Sequence, residues 1–230
     1  MKFLALAASM AVIFSSVDVE AKIESGVKTV RISRQSELNE KFIDAVSENN
    51  IDLAKKLIDQ GANVNFVGDY WGRSAINFAV KSGNKALVQL LIDHGANVNS
   101  PDIHGCTPLF NAAYYGNFEI VQVLIDSKAD LNFGKYGTPL IIAANWGYIE
   151  VVELLINSGA NLNKKEAIES HTALMEAAKN GHKKIVRLLI DAGADINAEG
   201  WNQNHTALKL AETQGHTEIV KILKKAGAKK

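Results

Sequence analysis

The five-residue block "GANVN" at 61–65 returns at 95–99, and close variants follow: "KADLN" at 128–132, "GANLN" at 159–163, "GADIN" at 193–197 and a final "GAKK" from Gly227. Successive blocks start 34, 33, 31, 34 and 34 residues apart. A period of this length constrains the fold more than any other feature of the chain, because it implies one supersecondary unit repeated and stacked into an array. Within each period two helical patterns recur. The first is short and alanine-rich: "SAINFAVKSG" at 74–83, "TPLFNAAYYG" at 107–116, "TPLIIAANWG" at 138–147, "TALMEAAKNG" at 172–181 and "TALKLAETQG" at 206–215. The second is longer and more aliphatic, as in "FEIVQVLIDSK" from Phe118 and "KKIVRLLIDAG" from Lys183. Thr or Ser is expected to cap the first helix, Pro to occupy its first position in two copies, and Gly to close it. Paired alanines let neighbouring units approach closely, and Ile185, Val186, Leu188, Leu189 and their equivalents are expected to fill the layer between units. One unit cannot bury that face alone, so stacking is obligatory.

These residues resemble the ankyrin repeat family over 36–230. The family pattern, D-x-x-G-x-T-P-L-H-x-A-A-x-x-G followed by an aliphatic helix and G-A-D-x-N, is met closely by "DIHGCTPLFNAAYYGNFEIVQVLIDSKADLN" at 102–132. The resemblance implies an all-α solenoid of about six helix–turn–helix units with finger-like hairpin loops, whose fingers and inner helices form a concave face that binds partners. The units are expected near 36–65, 66–99, 100–132, 133–163, 164–197 and 198–230, the first and last as caps. One departure stands out. Where the family carries a histidine that links repeats, this chain has Asn77, Phe110, Ile141, Met175 and Lys209, so that network is expected to be absent and apolar contacts to carry the stack.

The same resemblance maps partner-contacting positions onto the residues around each finger glycine and the two residues before each helix-closing glycine. The resulting site comprises Tyr70, Trp71 and Arg73, then Ile103, His104, Tyr114 and Tyr115, then Tyr136, Asn145 and Trp146. Ile168 and His171 occupy such positions in a blander fifth unit, and Trp201 lies on the last finger. Four of the five tyrosines and two of the three tryptophans fall on this set. Phe42, Phe78, Phe110 and Phe118 are instead expected to face the core. The division has a physical basis: phenylalanine has no polar atom, whereas Tyr and Trp join apolar area to a hydrogen-bonding edge and are enriched at interface hot spots. "AAYYG" sharpens it, since adjacent helical residues point about 100° apart and both rings of Tyr114 and Tyr115 cannot be buried.

Composition removes other partners. Lys plus Arg and Asp plus Glu number 25 each, so no net field attracts nucleic acid or an anionic membrane. The opening stretch, Lys2, an apolar run from Phe3 to Phe14, then Val19 and Ala21 at signal-peptidase spacing, reads as a secretory signal over 1–21. Cleavage is expected between Ala21 and Lys22, leaving a linker at 22–35 and no membrane insertion afterwards. A retained transmembrane anchor is the weaker alternative, because the run is short. A signal of this type points to a bacterial periplasm or the extracellular space.

Catalytic chemistry has no foothold in the pattern. Cys106 is the sole cysteine, which precludes an intramolecular disulfide. None of the six histidines pairs with another at the i, i+4 spacing of a helical metal site. His182 and His216 are expected to cap outer helices, and His104, His171 and His205 to approach one another only as a ladder along the fingers. No phosphate loop, nucleophile elbow or dinucleotide fingerprint is present. The expectation is a non-enzymatic exported protein, without cofactor or metal and monomeric when free, that binds a protein partner. A secreted effector aimed at a host protein, a self-associating structural protein and an enzyme using the groove are the alternatives.

Overall fold

The structure is a computed structural model and describes residues 20–24, 27–31, 34–201 and 205–229. Nearly all of the expected signal segment lies outside these residues. Two short strands, β1 (Glu20–Glu24) and β2 (Val27–Arg31), pair antiparallel as a hairpin, with Ala21 opposite Val30. The hairpin and the first residues of α1 thus occupy the stretch expected to be a linker.

From there the chain is helical, in six pairs: α1 (Arg34–Ser47) and α2 (Ile51–Asp59), α3 (Ala75–Ser82) and α4 (Lys85–Asp93), α5 (Pro108–Tyr114) and α6 (Phe118–Asp126), α7 (Pro139–Trp146) and α8 (Ile149–Asn157), α9 (Ala173–Lys179) and α10 (Lys183–Asp191), α11 (Ala207–Thr213) and α12 (Thr217–Lys225). The fold is the all-α solenoid anticipated from the repeat. Each odd-numbered inner helix packs on the inner helices of adjoining units, and the outer helices do likewise. The reason is compositional. Ala112, Ala113, Ala143, Ala144, Ala177 and Ala178 are all fully buried between inner helices, where larger side chains would hold the backbones apart. Leu91, Ile120, Leu124, Leu155, Ile185 and Leu189 close the layer beside the outer helices. Leu188, expected in that layer, is only partly buried.

Local signals set the helix ends. Thr107, Thr138, Thr172 and Thr206 each accept, through the side-chain hydroxyl, the backbone N–H three residues on. Pro108 and Pro139 follow two of them at the position where a missing N–H costs nothing. Ser74 sits at the corresponding place in α3 without making the capping bond. Gly147 closes α7 at φ +83°, a left-handed conformation, and a Cβ there would also lie 2.7 Å from the His182 ring.

The loss of the family histidine does not leave the repeats linked by apolar contacts alone, contrary to expectation. The last asparagine of each block reaches forward: Asn65, Asn99, Asn132, Asn163 and Asn197 accept the backbone N–H of Asn97, Asp130, Asn161, Asp195 and Lys229 at 2.7–2.8 Å. His182 and His216 do not cap through their side chains either. Their Nε2 atoms instead meet the carbonyls of Asn145 and Lys179 in the preceding unit at 2.9 and 3.0 Å.

Candidate protein-binding face

Fingers and inner helices place the exposed aromatic side chains in two groups. The first lies on the inner helices. Tyr114 and Tyr115 end α5, Trp146 ends α7, and all three rings are about half exposed, at 41, 46 and 50 %. Tyr114 is the hub: its ring meets Tyr115 edge-on at 5.3 Å and Trp146 edge-on at 5.5 Å. Edge-to-face contacts at such distances hold the rings in fixed orientations while leaving apolar faces and polar edges to solvent. Tyr148, next along the chain, does the opposite job. It packs its ring over Gly116, where a Cβ would approach within 2.6 Å, and so braces unit three against unit four.

The second group lies on the fingers. Tyr70, 80 % exposed, meets Trp71 edge-on at 5.6 Å, and Trp71 lies 5.5 Å from the tilted ring of His104 on the next finger. Ile103 joins the same two fingers, its N–H donating to the Trp71 carbonyl at 3.0 Å. Tyr136 is exposed on the fourth finger beneath the Lys135 ammonium, 5.6 Å from its ring, and no ring contact among the described residues ties it to either group. The apolar series does not stop there, as Ile168 and Trp201 are exposed on the fifth and sixth fingers. One exposed apolar side chain or more therefore projects from every finger after the first unit. Sequence reading gave the later fingers less weight, because a single Ile and a single Trp form no cluster along the chain.

Two of the mapped residues are turned inward. Arg73 holds Asp69 through Nε and Nη2 at 2.6 Å each, and its guanidinium lies 4.6 Å over the Phe78 ring of α3. Asn145 accepts from the Asn180 side chain at 3.0 Å and is partly buried. Both shape the face rather than project from it. Among the phenylalanines, Phe42 and Phe110 are core residues and Phe78 is partly buried, but Phe118 is 40 % exposed. As the first residue of α6 it stands at the end of the outer helix, outside the packed layer.

A family model described as ankyrin repeats (3 copies) matches residues 42–135, 104–166 and 140–230. The chain belongs to the ankyrin repeat family. Similar solved structures include the human ASB11 ankyrin repeat domain, at 29 % identity and TM-score 0.72, covering 82 % of this chain and 84 % of that one. The ankyrin repeat domain of Bcl-3, a member of the IkappaB protein family, aligns at 26 % identity and TM-score 0.74, covering 82 % of this chain and 86 % of that one. No curated protein sequence matches the chain. Ankyrin repeats are generally protein–protein interaction modules and typically non-enzymatic scaffolds. Among the described residues no helix is long and apolar enough to cross a membrane.

A polar cluster in unit five completes the inventory of this ankyrin face. His171, wholly buried at the base of the fifth finger, bonds Glu176 of α9 through Nδ1 and approaches His205 of the next finger through Nε2, at 2.7 and 3.2 Å. The expected histidine ladder thus forms between His171 and His205, whereas His104 stacks on Trp71. Glu169 and Lys179 pair beside it at 2.9 Å. The Glu169 carboxyl is held below its ordinary range chiefly by the hydrogen bond from Lys179. Burial pulls the Lys179 ammonium down, but its bond to Glu169 and the charges of Glu176 and Glu166 outweigh that and raise it.

Proposed function

We propose that this protein is a non-enzymatic recognition module, exported to the periplasm or the medium, that captures a protein partner on its finger and inner-helix face. The observation that carries the reading is the Tyr114, Tyr115 and Trp146 cluster. Three large rings, Tyr114 touching each of the other two and all half exposed, are held ready by the scaffold, so little side-chain entropy is lost when a partner covers them. Tyr70, Trp71, Ile103, His104 and Tyr136 extend the surface along the fingers. A partner that lies across units two to four meets apolar anchors with polar edges, the composition of an interface centre. Export rests on the apolar run Phe3–Phe14 and the small residues at Val19 and Ala21.

The experiment is affinity capture from the envelope and medium of the native organism, with the tagged mature chain beside a Tyr114→Ala, Tyr115→Ala, Trp146→Ala variant of matched helicity. A partner retained by the first and lost by the second, then titrated in purified form, supports the reading. Equal capture by both would remove the aromatic cluster from recognition, and accumulation of the uncleaved chain in the cytoplasm would remove export.

A further inference from the structure

Away from the aromatic cluster, ionisable side chains of two fingers and one helix converge on His171. Its Nδ1 lies 2.7 Å from Glu176 Oε1 and 3.2 Å from Glu169 Oε2. Lys179 Nζ lies 2.9 Å from Glu169 Oε2 and 4.0 Å from Glu176 Oε1. Glu166 closes the finger beneath, its carboxylate accepting the backbone N–H groups of Ile168, Glu169 and His171. Three carboxylates therefore surround one ammonium and an imidazole, in a place where His171 and Glu176 are almost wholly removed from water. Three carboxylates against one lysine ammonium give the set an excess of negative charge, which favours a cation.

We propose that Glu169, His171 and Glu176 form a binding site for a divalent transition-metal ion, with zinc the ion they suit best. Their three donor atoms all lie within 4.8 Å of one another. A tetrahedral zinc ion with bonds of about 2.1 Å sets its donors roughly 3.4 Å apart. The 3.2 Å pair already has that spacing, and the 2.7 Å pair, now bridged by a proton, has to open by less than about 1 Å. One imidazole and two carboxylates leave a fourth position for water. The second shell is also in place. Metal-bound imidazoles are normally held through the other ring nitrogen, and His171 Nε2 faces His205 Nδ1 at 3.2 Å. Binding through Nδ1 uses the tautomer that carries its proton on Nε2, where His205 Nδ1 can accept it. Lys179 is the competitor: its ammonium, on a flexible stem about one-third exposed, occupies the charge position that the ion would take. The donors run i, i+2, i+7 from a finger into a helix, a spacing outside the i, i+4 pattern of a helical metal pair.

The test is a zinc titration of the full chain against a fluorescent chelator. One equivalent is expected to bind, with affinity at least about tenfold weaker in Glu169→Gln and Glu176→Gln and roughly 10–100-fold weaker in His205→Ala. Lys179→Met is expected to bind zinc more tightly, a gain that a mere salt-bridge cluster would not show. His104→Ala, which alters an exposed histidine on another finger, should change nothing. Glu169 and Lys179 are both partly exposed, so their variants keep the test open if changes at His171 or Glu176 unfold the unit. No stoichiometric binding, affinity unchanged by Glu169→Gln, or a Lys179→Met variant no tighter than the parent overturns the proposal.

Discussion

Asn132 accepts the backbone N–H of Asn161 at 2.7 Å across the junction between units three and four, and the same reach is made at four other junctions. The bond is exposed, so its loss leaves a donor that water can satisfy, and Asn132→Ala should cost about 1 kcal/mol. Urea denaturation followed by circular dichroism checks this. Asn99→Ala should add nearly independently to Asn163→Ala, since the two act at separate junctions. An Asn132→Ala chain as stable as the parent would show the ladder to be idle.

The threonine caps should separate from the serine that replaces them. Thr138 makes its bond to the Ile141 N–H, so Thr138→Ala should lower stability by about 1 kcal/mol. Ser74 makes no capping bond, and its buried hydroxyl has no partner among the described residues. Ser74→Ala should therefore be neutral or stabilising in the same denaturant series.

Lys128 is in the left-handed region at φ +67°, where the equivalent Gly61, Gly95, Gly159, Gly193 and Gly227 lie between +84° and +98°. A side chain in that region costs roughly 1–2 kcal/mol, which exceeds the entropic cost of glycine. Lys128→Gly should raise stability by up to about 1 kcal/mol, read as an increase in the urea midpoint at unchanged slope.

How far these features could be read from sequence depends on whether they repeat. The helix pairs, the threonine caps and the alanine seams recur at a fixed interval, and each is set by neighbours a few residues away, so Thr107, Pro108, Ala112 and Gly116 announced their places without a structure. The exposure of Tyr114 and Tyr115 followed from helical geometry alone. What escaped was contact between units at matching heights. Asn132 looks like a turn residue until Asn161 is seen beside it, and His182 looks like a cap until its ring is found against the Asn145 carbonyl. Glu176 shows this most fully. On α9 it is one more helical glutamate, and only the return of the fifth finger over that helix brings His171 and Glu169 to it. Phe118 was misplaced for a related reason: its hydrophobicity indicated burial, but its place at the first turn of α6 carries it past the edge of the layer.

Cys106 should be a slow nucleophile despite its place on a finger. Burial first, and the Asp102 carboxylate second, push its thiol up to about 11. At pH 8 roughly one thiol in a thousand is ionised, against about a quarter for an ordinary cysteine. Alkylation by iodoacetamide should be correspondingly slow at pH 8 and should keep accelerating to pH 10 and beyond. Ordinary reactivity at pH 8 would mean that the finger opens.

The Glu169 and Lys179 pair gives unit five a dependence on pH with a definite sign. Glu169 has a lowered folded pKa, so its contribution is present above the usual carboxylate range near 4.3 and is lost as pH falls through the lower folded value. Lys179 has a raised folded pKa, so its contribution is present below about 10.4 and is lost as pH rises through the higher folded value. Glu169→Gln should flatten the acid limb of the urea midpoint plotted against pH between 5 and 2, while leaving the region from 6 to 8 nearly level.

The contact between Tyr114 and Trp146 joins side chains from two successive units, and that has a mechanical meaning. Helices here pack on those of adjoining units, so a chain pulled from its ends should come apart a unit at a time, each release adding roughly 100 Å of extended backbone. A partner seated on Tyr114 and Trp146 together would act as a clasp over one seam of that spring. The third and fourth units would then part only at a higher load, and tension along the molecule would in turn loosen the partner's hold.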